Sequence, residues 1–408
     1  MEFQSFEDRF LAMSPEEQRD YLHQLPVSQK RSWLRLLAPD DAADLIQVLP
    51  PEEHHAYLDL IDDATRLEII ALMAYAEDKA GGLMSSRYAR LRPEMSVDEA
   101  VRYLRIQART EVETIYYAYV LDPEQHLLGV LSFRELLVAP PEKLVKDIMR
   151  TQMITVPEHA EQEAVGRLFA NRDLLAMPVV DEEHHMKGIV TFDDIVHVVQ
   201  EEATEDIQKL GGISALDSPY LRTRLWEMLK KRAGWLTVLF LGELFTATAM
   251  GFFEKEIEKA VVLALFIPLI ISSGGNAGSQ ATTLIIRSMA LGEVKLKDWW
   301  RVLGRELQCG LMLGAILGSI GLMRILLWST QSQIYGPHYM LVAWTVALSL
   351  VGVVLWGAVM GSMLPFVLKR FGFDPAASSA PFVATMVDVT GLVIYFSIAS
   401  LVLSGTLL

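Results

Sequence analysis

A single cysteine, Cys309, is all that 408 residues contain, which excludes a disulfide within the chain and a cysteine-rich zinc centre. Positive charge is also short, 36 Lys+Arg against 51 Asp+Glu for a net charge of -15. Phosphate backbones are bound by clustered cations, so nucleic acid is not an expected partner. The residues after Met1 are polar and carry no apolar stretch of the kind a secretory signal needs, so the first half is expected to stay in the cytoplasm. Charge of either sign becomes scarce after Gly234. From there to Leu408 there are nine acidic and ten basic residues, net +1, whereas residues 1–233 hold 42 acidic and 26 basic, net -16. That apolar half has one histidine, His338, and no H-E-x-x-H, so an intramembrane enzyme is not expected.

The apolar half instead holds runs that match the hydrocarbon thickness of a bilayer, for which a helix needs ~20 apolar residues. Gly234 to Phe253 carries only Glu243, Ala260 to Ile286 no charge, Leu307 to Trp328 only Arg324, Met340 to Leu368 none, and Ala376 to Leu408 only Asp388. Five spans are expected. Lys230, Lys231 and Arg232 precede the first, Arg287, Lys295, Lys297, Arg301 and Arg305 fill the second connection, and Lys369 and Arg370 lie in the fourth. Since Lys and Arg accumulate in cytoplasmic loops, the N-terminus is expected inside and the C-terminus outside a cell (inner) membrane. The stretch from Thr330 to Tyr339 is uncharged, which leaves 254–259 as the charged external loop.

Two internal repeats organise the acidic half. Leu25, Leu37, Leu49, Ile61 and Met73 stand 12 apart, as do Leu22, Leu34, Ile46, Leu58 and Ile70, punctuated by Pro26, Pro39 and Pro50. Each unit reads as one short helix that buries its stripe only by stacking on its neighbours. The second repeat sets Val120-Leu121-Asp122 against Val179-Val180-Asp181, Gly129-Val130-Leu131 against Gly188-Ile189-Val190, and Phe133 against Phe192, always 59 apart. Strand, turn, glycine, strand and helix follow helical runs at Val97 to Gln107 and Gln162 to Asn171. The pattern resembles a tandem pair of CBS domains, modules that bind adenosine nucleotides or ions. Thr191-Phe192-Asp193-Asp194 fits that family's T-x-x-D, which implies ATP-type nucleotide contacts at Thr191 and Asp194. Ser132-Phe133-Arg134-Glu135 departs from it, and the plain alternative for Asp194 is a charge at a helix N-terminus.

After the pair comes Glu201-Glu202-Ala203-Thr204-Glu205-Asp206, four carboxylates in six residues. Glu202 and Asp206, four apart on a helix, repel one another. A solvated helix face is one reading. The other is a set of hard oxygen ligands suited to Mg2+ or Ca2+. Within the spans each polar residue counts. Pro268 frees a backbone carbonyl, and Ser272-Ser273-Gly274-Gly275-Asn276-Ala277-Gly278-Ser279-Gln280 combines glycines for close helix approach with amides and hydroxyls that suit a wet interior. Asp388 lies near the middle of the fifth run, where an unpaired carboxylate costs several kcal/mol, so it is either a buried ion pair, a protonated acid or a cation-binding position.

Gly274-Gly275-Asn276-x-Gly278-x-Gln280, Leu296-x-Asp298-Trp299, Val383-Ala384-Thr385-x-x-Asp388-Val389-Thr390-Gly391-Leu392 and Glu202-Ala203-Thr204-Glu205-Asp206 together resemble the MgtE magnesium channels over the whole chain. The fold class this implies is multidomain: an all-α helical-repeat N domain at 1–76, an α/β tandem CBS pair at 77–143 and 144–200, an acidic connecting helix at 201–232, and a five-helix α transmembrane domain at 233–408. The resemblance implies a homodimer with its pore at the subunit interface, Asp388 holding hydrated Mg2+ and Asn276 lining the path. Gly274, Gly275, Ser279, Gln280 and Thr385 would line the pore with them, and Glu254 and Glu258 would meet ions outside. Glu202, Glu205, Asp206 and Asp194 would bind regulatory Mg2+ that closes the pore. Ser279 departs from members that have Asn there. A secondary divalent-cation transporter, for Co2+ or Ni2+ or coupled to protons, and a membrane-anchored nucleotide sensor stand as the alternatives, although five spans do not divide into the equal halves of an inverted repeat.

Overall fold

The computed structural model describes residues 6–11, 13–108, 114–170, 172, 174–216, 220–221, 223–327 and 335–406. Asn171, Trp328 and the stretch 330–334, named above, lie outside the described residues. The chain divides into two compact units, Met1–Glu202 and Ala203–Leu408.

The first unit opens with α1 (Phe6–Leu11), α2 (Pro15–His23), α3 (Val27–Leu34), α4 (Pro39–Gln47), α5 (Pro51–Leu58) and α6 (Asp63–Leu72). From α2 onward the helices start every twelve residues, as the leucine period requires. Prolines begin α2, α4 and α5, where the missing N–H is an unused donor anyway. Asp62 caps α6, accepting from Thr65 N at 3.1 Å. Leu22, Leu34, Ile46 and Leu58 are buried as expected, but Ile70 is 48% exposed and Ile69 takes the core position. The array ends at α6, so no following helix covers the Ile70 face.

After α7 (Ala80–Leu83) come β1 (Tyr88–Leu91), α8 (Val97–Gln107), β2 (Thr114–Leu121), β3 (Leu127–Ser132), α9 (Phe133–Val138) and α10 (Val145–Ile148). The second copy is β4 (Val156–Pro157), α11 (Gln162–Ala170), β5 (Ala176–Val180), β6 (Met186–Thr191) and α12 (Phe192–Leu210). Each sheet has three strands, a parallel pair followed by an antiparallel hairpin. The copies exchange their entry segments. Ser85 bridges Ile189 of the second sheet, and Arg150 bridges Val130 of the first. This exchange explains the repeated glycines, because a Cβ on Gly188 would lie 2.6 Å from Ser85 O and one on Gly129 3.0 Å from Arg150 O. The second sheet also shares a core with the helical array, where Val165, Phe169, Met177, Val179 and Ile195 pack with Leu45, Ile46, Ile69 and Leu72.

The division between units falls inside α12, which starts at Phe192 and stops at Leu210. The expected helix over 201–232 is therefore two helices and a break. Gly211 and Gly212 end the first, Gly212 at φ 71°, and α13 (Leu225–Phe252) starts the second. Then follow α14 (Glu254–Lys259), a 3-10 turn at Val261–Phe266, α15 (Ile267–Ala290), α16 (Trp299–Leu326), α17 (Tyr339–Arg370) and α18 (Ala380–Leu403). Five of these helices are long and apolar enough to cross a membrane. Their ends differ from the apolar runs, since Lys230, Lys231 and Arg232 lie inside α13 and Arg301 and Arg305 inside α16 rather than in a loop. Helices continue past the hydrocarbon region into water, where charged side chains suit them, so hydropathy marks only the buried part. Pro268 is the second residue of α15, so it starts the helix instead of freeing a carbonyl within it.

Small residues set the packing of this unit. Methyl groups on Gly310, Gly314 and Gly318 of α16 would lie 3.1, 2.8 and 2.8 Å from the backbone of α17 at Leu355, Val351 and Ala347. On α17, Gly357 and Gly361 meet the carbonyls of Gly274 and Gly278 of α15 so closely that no Cβ fits. Tyr395, fully buried on α18, donates to Leu263 O at 2.8 Å and ties that helix to the turn before α15. By contrast α13 buries none of its residues within the chain and leans mainly on α18.

Candidate functional site

Asp388 is the ninth residue of α18. Ser379 caps that helix, accepting from Phe382 N at 3.4 Å and from Trp235 Nε1 at 3.0 Å, which fixes its start against α13. Val383, Val387 and Gly391 turn into the packed interior. Asp388 points elsewhere and is half-buried, and it has no hydrogen-bond or ion-pair partner among the described residues. A methyl on Gly275 of α15 would stand 3.7 Å from Asp388 Oδ1. A carboxylate in an apolar helix with no partner among the described residues is costly there and stands against a bare glycine.

The neighbouring residues divide into two groups. Asn276 and Gln280, four apart, share the exposed face of α15, and Asn276 reaches Ser272 Oγ only at 3.5 Å. No other side-chain hydrogen bond of these two amides is seen among the described residues. Gly274 is buried instead in the seam with α17, 2.5 Å from Val353 Cγ1 were it to carry a methyl. The Ser279 hydroxyl donates to Ala380 O at 3.2 Å and the Thr385 hydroxyl to Pro381 O at 3.1 Å, so both are engaged with backbone of α18. Glu254 and Glu258 are exposed, four apart on one face of α14.

In the second CBS copy Asp194 accepts from Thr191 N at 3.2 Å and from the Thr191 hydroxyl. The first copy builds the same cap from Ser132 and Glu135, whose carboxylate also receives Arg150 Nε at 2.6 Å. The capping role is therefore real for both, and burial, against those hydrogen bonds, still pushes the Asp194 carboxyl up to about 6. Glu202 accepts from Gln162 Nε2 at 2.6 Å. In the other unit Glu205 pairs with Lys209 at 2.5 Å, and Lys209 also reaches Asp374, in the turn before α18, at 2.7 Å. Although partial burial works against its charge, these two carboxylates hold the Lys209 ammonium well above the usual lysine range. The cation on Glu205 is thus a side chain, and Asp374 joins it, a residue that no motif singles out.

Asp41 and Asp44 of α4 face the start of α12, where Asp193, Asp194, His197 and Glu201 lie, with Glu77 nearby. Burial first, then the charges of Asp41, Glu77, Glu201 and Asp194, push Asp44 up to about 7. Burial likewise raises Asp41 and Glu201, with His197 acting in the opposite sense on both. One seam thus gathers carboxylates from positions about 150 residues apart. Asp40-Asp41 and Asp44 on a short helix among alanines and leucine were its only local signal. A second feature sits at the two hairpins, where Asp122 and Asp181 hold His126 Nδ1 at 2.9 Å and His185 Nδ1 at 3.0 Å. The two imidazoles stack at 4.3 Å. Among the described residues Asp181, Glu183 and His185 are spaced for a metal ion, but Lys187 Nζ, at 3.0 Å, already supplies Asp181 with a cation.

Comparison with known proteins matches three families along the chain. Residues 267–398 match a family described as divalent cation transporter, residues 3–78 the MgtE intracellular N domain, and residues 80–142 and 145–201 the CBS domain. The Magnesium transporter MgtE of Thermus thermophilus is 42% identical over 397 residues, 96% of this chain and 86% of that protein. The Magnesium transporter MgtE of Enterococcus faecalis is 34% identical, over 82% of this chain and 71% of that protein. Among solved structures, the cytosolic domain of the Mg2+ channel MgtE in complex with ATP is 44% identical and covers 47% of this chain and 78% of its own, with a TM-score of 0.46. With a helical N domain, a CBS pair and five apolar helices in the family's order, the chain belongs to the MgtE family of divalent cation transporters.

Proposed function

We propose that this protein carries Mg2+ across a cell membrane along a path past Asp388 and Asn276, as a homodimer whose acidic cytoplasmic half senses Mg2+. The observation that carries the reading is Asp388, a carboxylate within an apolar helix that has no partner among the described residues and faces a glycine. A hydrated divalent cation is the ligand such a group suits, with the Asn276 and Gln280 amides positioned to meet its waters. The relatives named as magnesium transporters support the choice of ion. Glu254 and Glu258 would concentrate cations at the outer mouth, and Gly275 would leave the room at Asp388 that a side chain would fill. Regulation is the second part of the proposal. Glu202, Glu205, Asp206, Asp194 and the Asp41–Asp44 seam are oxygen-rich and charge-crowded, so Mg2+ there would relieve repulsion. An ATP-type nucleotide at Thr191 and Asp194 would compete with the internal cap they form. The domain division at 76, 143, 200 and 232 and an inside N-terminus with an outside C-terminus belong to the same reading.

Mg2+ uptake into proteoliposomes, with and without an imposed proton gradient, tests it. Asp388→Asn should remove uptake while the protein stays folded and assembled, and the gradient should not matter. Wild-type uptake by Asp388→Asn refutes the site. Uptake that requires the gradient favours the proton-coupled carrier.

A further inference from the structure

Asp388 is not the only unexplained charge at membrane depth. Glu243 lies in α13, nine residues before its end at Phe252, in the sequence Leu241-Gly242-Glu243-Leu244-Phe245. It is exposed in the single chain and has no ion pair or hydrogen bond among the described residues. A solvent-facing glutamate would need no comment, but this one sits in one of the five helices apolar enough to span a membrane. There a charge without a partner is costly and marks an ion pathway more often than a structural role.

The helix is held with this residue near Asp388. Gly242, next to Glu243, packs on α18 so tightly that a methyl there would lie 3.0 Å from Thr385 Cγ2, and Thr385 is one turn before Asp388. Trp235 of α13, bonded to Ser379, fixes the same pair of helices two turns earlier. Glu243 is also the charged group whose field bears on Asp388 among the described residues. Like charges brought together away from water repel strongly, and among the described residues no Lys or Arg pairs with either. The chain keeps both, which is the arrangement a divalent cation favours and a monovalent one satisfies only by half.

We infer that Glu243 is a second carboxylate of the ion path, acting with Asp388 to favour divalent over monovalent cations. The inference rests on the reading of Asp388 as the cation position and adds what selects the ion's charge. Glu243 acts through the field and through water in the hydration shell of the ion, so its removal should weaken transport without ending it.

The full-length protein in proteoliposomes, with Mg2+ alone and then Mg2+ against Na+, provides the test. Glu243→Gln should raise the Mg2+ concentration for half-maximal uptake about tenfold and lower the preference for Mg2+ over Na+. Glu243→Asp should keep both near wild type. Glu243→Met, which an apolar helix accepts without difficulty, should match Glu243→Gln and keeps the test open should the amide disturb insertion. Leu244→Gln, a neighbouring exposed position, controls for polarity alone. Wild-type behaviour of Glu243→Gln and Glu243→Met beside an inactive Asp388→Asn would overturn the inference and leave the Asp388 reading standing. The same loss in Leu244→Gln would also overturn it. Uptake by Asp388→Asn would remove the reading beneath both.

Discussion

Replacing Asp44 by asparagine should make the cytosolic unit more stable when no divalent cation is present. The carboxyl is raised from the ordinary 3.8 to about 7, by burial first and then by Asp41, Glu77, Glu201 and Asp194. Because the folded value lies above the unfolded one, this group supports the fold below pH 4 and loses that contribution as pH rises toward 7. At 1.36 kcal/mol for each tenfold change in proton affinity, keeping Asp44 ionised in the folded state at pH 8 costs about 4 kcal/mol. The acids of the seam share their protons, so removing one charge also relieves its neighbours, and relaxation of the surface reduces the whole. About 2 kcal/mol is the gain expected of Asp44→Asn, an isostere that fills the same volume without the charge. For a unit of about 200 residues that corresponds to a rise of roughly 4–8 °C in Tm. Thermal unfolding of residues 1–202 in EDTA at pH 8, followed by circular dichroism, measures it. At pH 4 the difference should vanish. Millimolar Mg2+ should raise the wild type more than the variant, since an ion that binds only the folded state stabilises it in proportion to its occupancy. A variant less stable than wild type at pH 8 without cations would show that Asp44 is paired favourably in the fold, and the seam would lose its standing as a place that needs a cation.

Two further outcomes follow from the second unit. Gly357→Ala puts a methyl into the carbonyl of Gly274, where backbone meets backbone and neither can move alone, so detergent-solubilised protein should lose about 1–3 kcal/mol in thermal unfolding, and unchanged stability would refute the α15–α17 seam. Lys209→Met removes the cation shared by Glu205 and Asp374, so Mg2+ should protect the end of α12 from hydrogen exchange at a concentration about tenfold lower, and an unchanged midpoint would mean that Lys209 does not compete for the ion.

What could be read from the chain alone followed the range of the interaction. The starts of α2 to α6 were legible because a short helix must bury its stripe, and twelve residues bring each stripe back to the same neighbour. Asp388 stands out in the sequence because a lone carboxylate in an apolar run has few uses, and the structure shows it half-buried against Gly275. The CBS repeat gave its glycines but not their purpose, since Gly129 and Gly188 are required by backbone that arrives from the opposite copy. Arg301 and Arg305 read as loop residues in the sequence because hydropathy registers the hydrocarbon and not the helix. Asp41 and Asp44 escaped notice for a stronger reason. Their environment is made by Asp194 and Glu201, which no local window reaches, so only folding turns these ordinary acids into one crowded seam. The acidic run at Glu201–Asp206 drew attention by its density, yet the structure divides its members among different partners, Glu202 with Gln162 and Glu205 with Lys209.

That division changes the argument from net charge. A surplus of -16 spread over a surface would be screened at about 8 Å in physiological salt and would leave little repulsion for a cation to relieve. Part of it instead gathers at Asp44 and Asp194, which are partly buried and less screened, and there the carboxyls answer by holding protons, Asp44 with a value of about 7 and Asp194 of about 6. An ion entering the seam must displace those protons, because oxygen ligands bind Mg2+ as carboxylates. Proton and Mg2+ then compete for the same groups, and acidification shifts the half-occupied seam toward higher Mg2+. The pH series proposed for Asp44→Asn reads this directly in the wild type, whose gain from Mg2+ should grow from pH 5 to pH 8. Repulsion summed over a charged surface would give no such slope, so the slope distinguishes a built cation seam from a merely acidic protein.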